Sequence, residues 1–147
     1  MKSKIFLSGH GYFELRKKDG TIIESWEQKN MIVTAGLVQT AKLINGVDTV
    51  YFRAIAIGTG ITGPAIGNTA LGTEVARELA TLTYEATGKA VFEKTFDFGS
   101  GESYAITEAG AFNNSTSGGE MLDRFTFTAK NVDHDTDLYV KITIAAR

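Results

Sequence analysis

Gly58-Thr-Gly60-Ile-Thr-Gly63 follows the alternating apolar strand that begins at Tyr51, with the spacing of a loop that cradles a dinucleotide pyrophosphate. That chemistry requires a helix to open directly after the third glycine, so that free N–H groups and the helix dipole meet the phosphates. Here Pro64 follows at once, Gly67 comes soon after, and no helical pattern opens. No Lys-Ser or Lys-Thr follows Gly63, so a phosphate-binding P-loop fails as well. The three glycines are read as shaping a structural loop.

The other candidate chemistry is weaker. Asp133, Asp135 and Asp137 alternate like the start of a calcium loop, but Leu138 and Ile144 stand where an EF-hand needs glycine and a carboxylate. His10 lies between glycines and His134 within an acidic turn, and neither position suggests a buried, oriented base. There is no cysteine and no H-x-x-x-H spacing, so zinc and nucleophilic chemistry have no residues to use. Glu74, Glu78, Glu102 and Glu108 are the carboxylates that glycoside chemistry would pair, and nothing in the sequence brings two together. No cofactor, metal or catalytic residue is expected.

The elements around these residues are mostly strands. Phe13 and Leu15 alternate with Tyr12, Glu14 and Arg16; Lys17-Lys18-Asp19-Gly20 makes a hairpin turn; Thr21–Glu27 returns. Thr34–Ile44 predicts a helix, with Thr34 as N-cap, Leu37, Val38, Ala41 and Ile44 as one apolar stripe lying on a sheet, and Asn45-Gly46 as its end. Ala70–Leu79 offers a second, weaker helical turn.

From Thr81 the pattern is strand throughout. Phe92, Phe96 and Phe98 share a face, as do Phe125 and Phe127, and Leu138, Val140, Ile142 and Ile144 point inward from the last strand. Gly99–Glu102, Asn113–Gly119 and Asp133–Asp137 are turns or loops. Strands at this spacing predict an all-β, antiparallel β-sandwich, jelly-roll-like, of eight or nine strands with one or two short helices, as a single domain over residues 1–147.

A length of 147 residues supports one core without staples, and a net charge of −2 argues against bulk attraction to nucleic acid or anionic membranes. The apolar run before Ser8 is too short for a signal-peptide core, and no run is long enough for a membrane-spanning helix. Basic residues are dispersed among aromatics that fit a sandwich core, so a nucleic-acid platform is not expected.

Several short motifs follow one another in order: Asn30–Leu37, Ile55–Gly60, Thr69–Leu71, Glu74–Arg77, Ile106–Gly110 and Met121–Phe125. Together they resemble the small structural proteins of tailed bacteriophages, both tail-fibre types and β-sandwich capsid cement or decoration proteins. The resemblance covers Asn30 to the C-terminus and carries over no catalytic residue. It implies a virion component, assembled in the bacterial cytoplasm, that contacts the major capsid protein or other virion proteins as a homodimer or homotrimer. Capsid cement is the favoured role, because the chain has no shaft-forming segment. A tail-fibre, baseplate or collar component is the alternative, and a carbohydrate-binding module would need Trp26, Tyr51 and Tyr139 exposed on one face. The structural candidates are Gly58, Gly60, Gly63, Glu74, Arg77, Glu108 and Gly110. Glu74 and Arg77 are expected to support the glycine loop, by forming an ion pair or by bonding exposed backbone beside it, and Gly110 to permit a turn or a close chain approach.

Overall fold

The computed structural model describes residues 7–146; the lysines and most of the apolar run at the N-terminus lie outside the described residues. The described residues form ten strands and one helix. In order these are β1 (Leu7–Lys17), β2 (Ile22–Lys29), β3 (Met31–Ile32), α1 (Thr34–Ile44), β4 (Ala54–Gly58), β5 (Glu74–Leu79), β6 (Thr81–Glu85), β7 (Lys89–Asp97), β8 (Ser103–Phe112), β9 (Asp123–Asp133) and β10 (Thr136–Ala146). They make two five-stranded antiparallel sheets, ordered β2-β1-β10-β7-β6 and β3-β9-β8-β4-β5. The first strand pairs with the last, and β3 with β9, while β1–β2, β6–β7 and β8–β9 are hairpins, so the two sheets make an antiparallel sandwich.

Period-two alternation builds the interface between the sheets. Phe13, Phe92, Phe96, Leu138, Val140 and Ile142 from one sheet meet Ile55, Ile57, Ala109, Ala111 and Phe125 from the other. Trp26 extends this layer, stacking on Phe13 with ring planes 5° apart. Each such aromatic contributes roughly 1.5–3 kcal/mol through burial alone.

The second sheet is covered on both faces. On its outer side Val33, Ala56, Leu71, Phe112 and Met121 form a separate small core beneath α1 and the glycine loop. All five residues of β4 are therefore buried, which explains why Ala54-Ile-Ala-Ile-Gly58 reads as a nearly continuous apolar run.

Three expectations need correction. Ala70–Leu79 contains no helical turn; Glu74–Leu79 is strand β5, pairing with β4 at the sheet edge. The helix has the expected span, but its N-cap is Val33, which contributes no side-chain cap, and Thr34 is the first helical residue. The apolar stripe of α1 does not lie on the sheet: Leu37, Val38, Ala41 and Ile44 are exposed, and the covered side carries Gly36 and Gln39. A Cβ on Gly36 would sit 2.5 Å from the Leu122 carbonyl oxygen, so glycine lets the helix touch the strand backbone there. Gln39 donates to the Val50 carbonyl at 3.0 Å, tying the segment after the helix back against it.

Candidate functional site

The glycine loop, residues 59–73, leaves β4 and returns as β5, and a buried ion pair holds it down. Glu108 projects from β8 on the outer face of the second sheet and is fully removed from solvent. Its Oε2 accepts the N–H groups of Gly60 at 2.6 Å and Thr73 at 2.8 Å, while Oε1 accepts that of Gly72 at 2.7 Å. Arg124, from β9, completes the set at 3.0–3.1 Å through Nη2 and Nε. The same guanidinium donates to the Thr62 and Gly63 carbonyls and to Asn68 Oδ1 at 2.8–3.2 Å. Thr107 Oγ1 adds a bond to the Gly60 carbonyl at 2.6 Å.

Glycine is required where the loop meets this carboxylate. A Cβ on Gly58 would lie 2.3 Å from the Thr73 carbonyl oxygen, and one on Gly60 would lie 2.5 Å from Glu108 Oε2. Gly63 has open space around its Cβ direction and serves through its carbonyl alone. Gly110 fits the expected close approach, because a Cβ there would come within 2.5 Å of the Asp123 carbonyl oxygen.

Electrostatics follow from this bonding. Burial by itself pushes the Glu108 carboxyl up, but the N–H groups of Thr73, Gly72 and Gly60 and the Arg124 guanidinium outweigh it, leaving the pKa below the ordinary 4.5. The carboxylate stays ionised with its oxygens occupied, so it is not free to exchange a proton with a substrate. Asp123 is also buried, accepting the Ala111 N–H at 2.9 Å and the Asn30 side-chain amide. Without a cation beside it, burial dominates and raises its pKa from 3.8 to about 6. Asn30 and Asp123 thus fasten the crossover from β2 to β3 against β9.

Glu74 and Arg77 do form an ion pair, at 2.6 and 3.1 Å. Residues three apart in a flat strand face opposite ways, but Val75 is a bulge between the pairs Ile57↔Ala76 and Gly58↔Glu74, which brings both onto one face. Arg77 does not brace the glycine loop as expected. Its Nη1 donates to the Asn114 and Gly118 carbonyls at 3.1 and 2.7 Å, and its guanidinium lies 3.8 Å over the Phe112 ring. Its work is to hold the Asn113–Gly119 loop. The residue that braces the glycine loop beside Glu108 is Arg124, which sequence reasoning placed in a motif without giving it a role. The available signal was an arginine set between the strand residues Asp123 and Phe125.

Polar side chains also pair with one another away from the loop, although Trp26 Nε1 is buried with no hydrogen-bond partner. On the outer face of the first sheet Tyr12 donates to Glu14 at 2.7 Å, and Arg16 pairs with Glu14 while lying over the Tyr139 ring. Trp26 pairs with Phe13 on the inner side and Tyr139 with Glu14 on the outer side, so Trp26 and Tyr139 do not share a face. The one group of potential metal ligands among the described residues is Asp133, His134 and Asp135, at the β9–β10 turn. Asp133 Oδ1 there accepts the Asp135 N–H at 2.9 Å, closing the turn. Asp137 is engaged by Lys18 at 2.6 Å. Comparison of the chain with protein-family models, with curated proteins and with solved structures found no match.

Proposed function

We propose that this chain is an accessory structural protein of a tailed-phage virion, and within that class a capsid cement or decoration protein that binds the shell of major capsid proteins. The carrying observation is the use made of the buried Glu108–Arg124 pair. Both residues are spent on fixing a loop that presents Ile61, 91% exposed, and Ile66, 61% exposed, to solvent. A rigidly held apolar loop suits contact with another protein, since little ordering cost remains to be met on binding. Four of the motifs that carry the phage resemblance supply this clamp and its loop: Ile55–Gly60, Thr69–Leu71, Ile106–Gly110 and Met121–Phe125. In this reading the protein bridges neighbouring shell subunits and adds buried area against internal pressure, with no catalysis, cofactor, nucleic acid or membrane involved.

The experiment is location in the particle. Gold-labelled antibody against the chain, or imaging of virions with and without its gene, is expected to place it on the head. Label confined to the tail would sink the cement role in favour of a tail-fibre, baseplate or collar component. Absence from purified virions would overturn the virion reading altogether.

A further inference from the structure

Helix α1 turns its apolar stripe away from its own protein. Gly36, Gln39 and Leu43 occupy the covered side, whereas Leu37, Val38 and Ile44 are 44%, 49% and 82% exposed. The segment after the helix, which Gln39 ties to it through the Val50 carbonyl, also exposes Val47, Val50 and Tyr51. An amphipathic helix ordinarily buries its apolar side, so this arrangement leaves a prepared surface without its cover.

We propose that the solvent face of α1, continued through Val47, Val50 and Tyr51, is the surface by which two copies of this chain associate about a two-fold axis. Three features favour a second copy as the occupant. The six exposed side chains offer on the order of 600 Å² of apolar surface, at the upper end of what a monomer leaves open. Two such faces together bury about 1,200 Å², which meets the lower bound of a stable interface before any polar rim is counted. Between Thr34 and Tyr51 the only charged residues are Lys42 and Asp48. So few charges within the segment leave little like-charge repulsion when it faces itself, the charges beside it being Arg53 over the Tyr51 ring and the Lys29, Glu85 and Lys89 that share a groove with Leu37. Ala41 lies between Leu37 and Ile44 along the stripe, and its small side chain lets two helices approach closely.

The test is the mass of the purified full chain by sedimentation equilibrium across micromolar concentrations. The wild type is expected to be a dimer. Leu37→Glu and, outside the helix, Val47→Lys are each expected to weaken association more than about 30-fold, as loss of a hot spot does. Both positions are exposed, so circular dichroism should show the folded state unchanged. Tyr84→Ser, on the exposed edge strand β6, should remain dimeric. A wild type that stays monomeric, a trimeric mass, or a dimer that survives both α1-side variants would overturn the proposal. So would a dimer broken by Tyr84→Ser. Association in solution and location in the virion are separate measurements, so either reading can fail without the other.

Discussion

Arg124 Nη2 and Nε lie 3.0–3.1 Å from Glu108 Oε1 across adjacent strands, and the remaining polar atoms, Glu108 Oε2 and Arg124 Nη1, are taken up by one loop. The pair therefore acts between sheet and loop as well as within itself. Its value lies in the backbone groups it satisfies, which would otherwise be buried without partners.

Breaking the pair from one side leaves the other charge buried. Glu108→Gln and Arg124→Met are each expected to cost about 3–5 kcal/mol in urea-unfolding free energy. The double variant should cost clearly less than their sum. Single variants within about 1 kcal/mol of wild type would place the pair among weak surface bridges and refute the clamp.

The glycines are not equivalent. Gly60→Ala drives a methyl into Glu108 Oε2 and the Gly72 backbone, and a loss of at least about 2 kcal/mol is expected. Gly63→Ala meets nothing and should be neutral or stabilising by a few tenths of a kcal/mol. Thermal melts of the two variants side by side check the contrast; equal destabilisation would contradict it.

Arg77→Ala separates the two loops. Hydrogen exchange should quicken at residues 114–119, whose carbonyls lose their donor, and stay unchanged at residues 59–73. Faster exchange confined to the glycine loop would reverse the assignment.

Among the buried carboxylates, Asp123 and Glu108 act in opposite senses and give stability a maximum in mildly acid solution. Asp123 is raised to about 6 from 3.8, so the folded state takes up its proton first, and stability rises as pH falls from above 6 towards 4, by roughly 3 kcal/mol for this group alone. Glu108 is lowered from 4.5, so its contribution is complete above that pH and is lost as pH falls through its folded value. Melting temperature should therefore rise as pH falls from 7 and turn down only below about pH 4.5. Asp123→Asn should flatten the limb between pH 5 and 8, since Asn30 can turn its amide to pair with the new one. A slope that persists in this variant would assign the limb to another group.

Much of the sandwich was legible because alternation is a direct image of burial, as in β1, β7 and β10. Glu74–Leu79 misled because it is an edge strand with a bulge, and a bulge breaks the period of two that marks a strand. The pattern of α1 disclosed an apolar side but not which side the protein covers; that was decided by the contact of Gly36 with Leu122. Glu108 was legible as a candidate, a charge amid Ala, Ile and Gly. Its partnership with Gly60, Gly72 and Arg124, and that of Asn30 with Asp123, joins residues far apart in sequence and becomes visible only once strands are paired.

The reach of Glu108 also orders events during folding. The N–H groups it gathers lie 48, 36 and 35 residues before it, and its arginine lies 16 residues after. The loop can take its final shape only after the β8–β9 hairpin has formed and β4 has docked on it. Until then residues 59–73 have no anchor and the chain carries the entropy of an open loop. The segment that presents Ile61 and Ile66 is thus expected to be among the last fixed, with low φ-values for substitutions in residues 59–73 as the check.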